Sequence, residues 1–558
     1  MTADKAVATM PGWRAHCAAL VLGLVCGFTV QAPHLVLHRA FVNLDFTMHY
    51  NYAREVAASA RAGDPWPHYA FLARHGFGEP GLLYYSPLYY LASSALSLAT
   101  GNVWAAMQLV EIAAAALLGY FAWLLAAEWC PWKPALAAIP LAVFAPMACL
   151  LQLSFNGYPW ACALAPLAAV TWASLRPAAA ERWLNLPAAV ALALTVCTHT
   201  VTGLMALILL GTISLAALCR ERTAAWHGPA FWGPVITAVL GLLLSAAYLL
   251  PAYASQGLVD AGVWRRNFTP FNAFSLPTVT AWAFGMRWFA FQWPVSLLAF
   301  ALTGAAIGAL RQAFRSGREV IFLREAATIF VVILILATEL SYPLWLVDTP
   351  LRNIQFPHRL ISVLVPLGAA LAPIAWARGR GWPLRGIVVL AALASLAMGG
   401  LTIARAAMRD GQVIDVSERA FRPYAGLDEY RTAEAARHGQ TAAPFAFADD
   451  CAARGMVCSA GQREGRGMVW AVDSRRPTPL RLPVYCFPAW RVDISGHSAR
   501  ARCDAGQGLV ETDIPAGRST VSLQWQARPV ERLGIALSLA TAAALVLLAL
   551  ASRRIARR

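Results

Sequence analysis

Charge is what this chain has least of. Only 13% of its 558 residues are charged and its mean hydropathy is +0.53, whereas a soluble protein of this length carries about 25% charged residues. That scarcity excludes a soluble globular fold. Acidic residues are the rarer sign, 29 against 45 basic, for a net charge of +16. The basic excess does not read as a nucleic-acid surface. It collects in short connectors, at Arg176 and Arg182, Arg220 and Arg222, Arg311 to Arg324, Arg378 to Arg385 and Arg553 to Arg558, as the positive-inside rule places charge in membrane proteins. No small-residue cleavage site follows the first apolar run near Cys17, so that run reads as a retained helix. No DxD motif is present. Nor do Gly/Pro-broken segments pair up between two halves, as they do in many transporters.

What the chain has in abundance is apolar sequence. Segments lie near residues 16–37, 84–100, 104–127, 134–151, 158–175, 184–198, 199–219, 229–252, 292–310, 326–346, 358–377, 384–404 and 531–552, many of them approaching the roughly 20 residues that cross a bilayer. With the basic connectors in the cytoplasm, residues 253–290, 347–357 and 407–530 fall outside. Parity then excludes one span. Residues 39–83 are external if the basic N-terminus is internal, yet the segment from Trp104 must also begin outside so that Lys133 is cytoplasmic. Residues 84–100, opening with Tyr84, Tyr85, Pro87, Tyr89 and Tyr90, therefore read as interfacial or re-entrant, since tyrosine favours the headgroup layer. The expectation is twelve spanning helices with both termini cytoplasmic, or thirteen if 84–100 crosses.

Residues 407–530 break the apolar pattern. Thr520 to Trp525 alternates as a half-buried strand does, and Pro483, Pro488, Gly496, Gly506 and Gly517 read as turns. The fold class is thus a polytopic α-helical membrane protein with a small β-rich extracytoplasmic domain near the C-terminus. Its divisions are 1–406, with a first external loop at 39–103, then 407–530, then a last helix and basic tail at 531–558. Seven of the eleven cysteines lie in or beside apolar segments, where Cys is a small buried hydrophobe. The other four, Cys451, Cys458, Cys486 and Cys503, point to two disulfides in an oxidising compartment. Three pairings are open, and nearest neighbours, Cys451–Cys458 and Cys486–Cys503, are the expectation. A zinc site is the lesser reading, because no histidine stands at ligand spacing among them.

By this orientation Asp45, His49, Glu111, His199, Glu339, Arg352, His358 and Arg359 all fall in the outer leaflet or just above it. Ionisable groups in a bilayer cost several kcal/mol unless they serve a cavity or pair with one another. Their common depth points to one outward-facing hydrated cavity. Blander readings stand beside each. Asp45 can simply cap the helix that follows it. Glu111 can pair with an arginine, His199 can be a hydrogen-bonded core histidine, and Arg265-Arg266 can be a solvated turn. Arg359, just inside the outer end of a helix, is the hardest to explain without a phosphate or carboxylate partner.

Asn43-Leu44-Asp45 through His49, followed by Ala62-Gly63-Asp64-Pro65-Trp66-Pro67, resembles the first external loop of GT-C superfamily membrane glycosyltransferases. The likeness is in particular to bacterial membrane proteins described as pyruvoyl-tetrahydropterin-synthase-related and to their YfhO-type relatives. Gly78-Glu79-Pro80, Tyr84 to Tyr90 and Ile354-Gln355-Phe356-Pro357-His358-Arg359 match further, the last being similar to a QFPxR signature. Phe487-Pro488-Ala489-Trp490-Arg491-Val492 and Ile514-Pro515-Ala516-Gly517 resemble the closing β-domain of the YfhO type. Two positions depart: Ala489 replaces the usual glycine before the tryptophan, and His358 replaces the usual aromatic before the arginine.

The resemblance implies sugar transfer from a polyprenyl-phosphate-linked donor to a glycan, lipid or protein acceptor, on the periplasmic face of a bacterial inner membrane. It implies Asp45 as general base toward the acceptor hydroxyl, inversion by single displacement, and Arg359 holding the lipid phosphate. The catalytic candidates are Asp45, His49 and Glu111. The substrate-binding candidates are Arg265, Arg266, Arg352, His358, Arg359, His199, Glu339, Tyr84 and Tyr85. No cofactor is expected and a divalent metal is not favoured, since Asp45 with His49 is a weak ligand set. The rival readings are a transporter or flippase of lipid-linked sugars and a non-catalytic glycan-assembly protein. Trp66, Tyr69, Trp264 and Trp288 are candidates to stack on sugar faces or to anchor at the interface.

Overall fold

A computed structural model describes residues 11–36, 45–177, 179–260, 274–276, 292–315, 317–408, 423–437 and 446–556. Every long apolar stretch among them is helical, because a bilayer core offers backbone N–H and C=O groups no water and each segment must satisfy its own. Among the described residues eight helices are long and apolar enough to cross a membrane, from Trp13–Val36 to Pro529–Ala551, and the chain is a multi-pass membrane protein. Two further apolar pairs are bent, Trp132–Val143 with Pro146–Leu153 at 41° and Pro229–Leu244 with Ala246–Ala254 at 78°, and the number reaches ten if each is one span. The remaining two segments of the expected twelve are the helices Tyr158–Leu175 and Leu186–Thr198, 18 and 13 residues long. The tyrosine-rich segment forms Gly81–Tyr84 and Leu88–Thr100, a helix of 13 residues, the same length as Leu186–Thr198.

Small residues let the helices approach closely. A Cβ on Gly27 of the first helix would stand 2.8 Å from the Ile112 carbonyl oxygen of Val103–Ala127, the kind of backbone approach that drives association where the lipid is as apolar as the side chains.

Above the bundle, Phe46–Arg61 is a helix with scarcely an open face. Tyr52, Ala53 and Glu55 are fully buried, packed among Leu82, Tyr89, Tyr90 and Trp104. It lies against Leu88–Thr100, so the first loop is a folded layer on the bundle.

The β-domain has two antiparallel sheets. In the larger, β1 (Met456–Cys458), β3 (Gly467–Ser474), β9 (Gly517–Trp525), β5 (Trp490–Ile494) and β6 (His497–Ala499) pair in that order, with β2 (Gln462–Glu464) also on β3. The smaller runs β4 (Thr478–Tyr485), β8 (Leu509–Ile514), β7 (Arg502–Cys503). The alternation read at Thr520 to Trp525 is part of β9, whose inward Val521, Leu523 and Trp525 are buried. Pro483 is no turn: it lies inside β4, where the register with β8 shifts between Arg481 and Tyr485, a break that tolerates a residue without an N–H. The disulfides are Cys451–Cys458 and Cys486–Cys503.

This domain is docked on the first loop. Tyr69 packs edge-on against Trp490 with centroids 4.8 Å apart, and its hydroxyl donates to the Phe77 carbonyl at 3.0 Å. Tyr69, at 2% exposure, is therefore part of this interface and closed to a sugar ring. Arg463 of β2 reaches buried Glu55 at 2.9 Å and also bonds Ser59. Arg528, at the start of the last helix, bonds Glu531 at 2.8 Å and Ser255 at 2.7 Å.

Candidate active site

Asp45 sits at the N-cap position of Phe46–Arg61 with φ −91° and ψ −13°, and its side chain makes no cap hydrogen bond. Capping does not account for it. Its carboxylate is exposed and makes no hydrogen bond or ion pair with another described residue. Desolvation by the surrounding protein pushes the carboxyl above its ordinary range, and the Arg359 guanidinium opposes the shift. Asp45 and Arg359 are thus close enough to act on each other electrostatically.

Arg359 is clamped by its neighbours. Its guanidinium carbon lies 4.9 Å from the Trp160 ring centre and 4.8 Å from that of Phe356, within cation–π range on both. One terminal nitrogen donates to Gln355 Oε1 at 2.8 Å and to the Ile354 carbonyl at 3.3 Å, while buried Nε has no hydrogen-bond partner. Gln355 holds φ +67°, an unfavourable conformation for a side-chain-bearing residue and one that clusters at functional sites. The charge is fixed in place with donor capacity left over, and that is what an anion requires.

One turn along from Asp45, His49 bonds the Tyr90 hydroxyl through Nδ1 at 2.7 Å and meets the edge of Tyr85 at 5.6 Å. Burial drives its pKa down to about 3, so the ring is neutral. Tyr85 also adjoins Tyr52, Tyr90 and Tyr430. Tyr84 stacks on Tyr430 at 5.9 Å and 8° and donates to the Ser255 carbonyl at 2.6 Å. The tyrosine-rich segment thus joins His49, Tyr52 and Tyr430 in one aromatic cluster next to Asp45 in sequence.

The other expected residues divide. His199 lies flat on Trp160, 6.0 Å away at 7°, and His358 tilts against the same ring at 6.5 Å. Both therefore border Arg359. His199 is also engaged as a cap, accepting from the Thr202 amide and bonding its hydroxyl at 2.8 Å, the core-histidine reading. Glu111 is not brought to Asp45. It accepts from Gln31 Nε2 at 2.8 Å and from the Tyr89 hydroxyl at 3.4 Å, in a buried network with Gln152, His34 and Gln108. It has no arginine partner among the described residues. Glu339 opens the short turn Glu339–Ser341 and Arg352 lies in the turn Pro350–Ile354, both half-buried. Arg265, Arg266, Trp264 and Trp288 lie outside the described residues, as do Asn43 and Leu44. Among the described residues no cluster of three His, Cys, Asp or Glu could hold a metal.

The sequence reading missed a strap: residues 423–430 fold back onto the first loop and are held by Glu79, which is fully buried. Glu79 accepts from the Tyr52 hydroxyl at 2.6 Å, Arg74 Nε at 3.1 Å and the Leu427 amide at 3.2 Å. Burial pushes its carboxyl up to about 7. Arg74 also bonds Asp428 at 2.9 Å. Gly426 has φ +71°, and a Cβ there would stand 2.5 Å from Glu79 Oε2. The strap so held carries Tyr430 onto Tyr84 and Tyr85. The Gly78-Glu79-Pro80 match was the one signal for this; nothing local marked Trp160 or Tyr430.

No family model matches the chain, and no curated protein does. Among solved structures it is similar to arabinofuranosyltransferase AftD from Mycobacteria, with TM-score 0.43, 15% identity, and coverage of 72% of this chain and 28% of that one. It is also similar to ArnT from Cupriavidus metallidurans bound to undecaprenyl phosphate, with TM-score 0.26, 14% identity, and coverage of 66% and 77%. The chain therefore spans well under half the length of the first. At these scores neither likeness assigns an activity.

Proposed function

We propose that this protein is a GT-C-type glycosyltransferase that moves a sugar from a polyprenyl-phosphate carrier to an acceptor hydroxyl at the outer face of a bacterial inner membrane. The observation that supports it is an uncapped Asp45 carboxylate within electrostatic reach of an Arg359 guanidinium clamped between two rings with Nε unsatisfied.

In this reading the acceptor oxygen attacks the anomeric carbon as its proton passes to Asp45, and the bond from that carbon to the phosphate oxygen breaks. The electron pair leaves with the lipid phosphate, which Arg359 stabilises as its charge grows. One displacement inverts the anomeric centre. A base raised above its ordinary pKa by desolvation, yet kept ionisable by a nearby cation, suits proton removal near neutral pH. His49 and Tyr85 shape the wall beside the base, and His199 and His358 flank the ring that holds Arg359. Glu111 belongs to the network behind Tyr89 and supports the wall from inside the bundle.

The test is genetic and chemical. Cells carrying Asp45→Asn in place of the wild-type gene should lose one envelope sugar modification by mass spectrometry, with protein level and membrane insertion unchanged. Persistence of every modification at wild-type level would remove the catalytic role from Asp45.

A further inference from the structure

The groups around Arg359 leave part of it unused. One terminal nitrogen donates to Gln355 and Ile354, while Nε and the other terminal nitrogen donate to no described residue. The Trp160 ring centre, 4.9 Å from the guanidinium carbon, is 6.0 Å from that of His199, and the two rings are parallel within 7°. His199 is also within electrostatic reach of Arg359 and of His49. The indole that carries both side chains is itself fixed, since its Nε1 donates to Ser362 Oγ at 3.1 Å.

The two ring nitrogens of His199 have different roles. Nδ1 accepts from the Thr202 amide at 3.3 Å and stands 2.8 Å from the Thr202 hydroxyl. A backbone N–H can only donate, so Nδ1 presents a lone pair and the ring proton is on Nε2. That Nε2–H has no hydrogen-bond partner among the described residues, although His199 is only 8% exposed. A buried donor without an acceptor costs free energy, and a bound acceptor would recover it. The ring also stands at the start of the 22-residue helix Thr200–Glu221, the end of a helix that favours an anion. Unused N–H donors on two side chains and a helix N-terminus are thus gathered at one indole. We infer that His199 is a second ligand of the lipid phosphate, donating from Nε2 beside the Arg359 charge with its tautomer set by Thr202. This rests on the transferase reading above, in which Arg359 holds that phosphate.

The experiment measures binding to the purified full-length protein in nanodiscs with three probes: undecaprenyl phosphate, undecaprenol and inorganic phosphate. His199→Phe keeps a ring on Trp160, and His199→Asn keeps an acceptor for the Thr202 amide; neither can donate from the place of Nε2. Both should bind undecaprenyl phosphate about tenfold to hundredfold less tightly than wild type, the scale of one hydrogen bond to a charged group. His199→Gln, whose amide nitrogen reaches that place, should recover most of the affinity. Undecaprenol should bind wild type and all three variants alike, and inorganic phosphate at the same concentration should not displace the lipid. A packing role for the ring predicts the reverse order, with His199→Phe near wild type and His199→Gln weak, and that order overturns the inference. An equal loss of undecaprenol binding, or displacement by inorganic phosphate, overturns it too. If Arg359→Gln weakens undecaprenyl phosphate binding and His199→Phe does not, this inference alone falls. If wild type and Arg359→Gln bind it alike, the transferase reading falls, and this inference with it.

Discussion

Replacing Glu79 with glutamine tests whether the strap on the first loop is held as described. The carboxyl is fully buried and takes three hydrogen bonds, two from the first loop and one from the strap itself. The groups that face it are Arg74, Tyr52, Tyr69, Tyr424 and Tyr430, with Asp428 on the far side of Arg74. Burial raises its pKa from 4.5 to about 7. A carboxyl raised on folding is protonated in the closed form while the released form is ionised, so opening releases a proton between those values. The strap is therefore held most firmly below about pH 4.5 and is weakened as pH rises to about 7, with little change beyond. The full difference is at most roughly 3 kcal/mol, or about 300-fold in the opening equilibrium. Glutamine has no proton to lose. Hydrogen exchange of the Tyr424 and Leu427 amides, corrected for intrinsic rate, should show wild-type protection falling relative to Glu79→Gln between pH 5 and 7.5. A wild-type-to-variant ratio that stays flat over that range would refute the buried-carboxyl account.

Other perturbations have their own signatures. Trp160→Ala removes one of the two rings on Arg359 and should weaken undecaprenyl phosphate binding by about 2-fold to 30-fold, whereas Trp160→Phe should recover most of it; equal affinities would argue against the ring clamp. Arg463→Ala leaves Glu55 buried without its cation and should destabilise the docked β-domain by about 3–5 kcal/mol, read as a lower thermal midpoint and faster proteolysis after residue 437. Gly78 has φ +76°, and a Cβ there would stand 2.1 Å from Tyr69 Cε1. Gly78→Ala should therefore cost at least about 1–3 kcal/mol by the same assay, and a neutral result would mean that the interface yields more than its packing implies.

Where the sequence was legible, a single local rule governed the outcome. Apolar length located the helices, two-residue alternation located β9, and an even cysteine count in the outer domain indicated two disulfides, whose nearest-neighbour pairing was one of three open to the sequence. The rules failed where two constraints met. Pro483 reads as a turn by propensity and sits in β4 because the register shifts there. Two apolar helix pairs bend, at 41° and 78°, which apolarity along the chain does not record. In the site, Asp45 and Arg359 were nameable because each is an ionisable residue at a helix start in an apolar chain. Trp160 and Tyr430 were not. An aromatic residue in a membrane protein is unremarkable until the fold sets it 4.9 Å from a guanidinium or flat on another tyrosine. Asp45 itself was ambiguous between cap and base, and backbone geometry rather than residue type argues against the cap.

The central claim is that Asp45 takes the acceptor's proton while Arg359 holds the phosphate. The most direct measurement is the single-turnover rate of sugar transfer by purified Asp45→Asn, set beside its affinity for bare undecaprenyl phosphate. The account predicts a fall of about 100-fold to 10,000-fold in rate, the range for loss of a general base, with lipid affinity within twofold of wild type. A rate within threefold of wild type at unchanged affinity would contradict it.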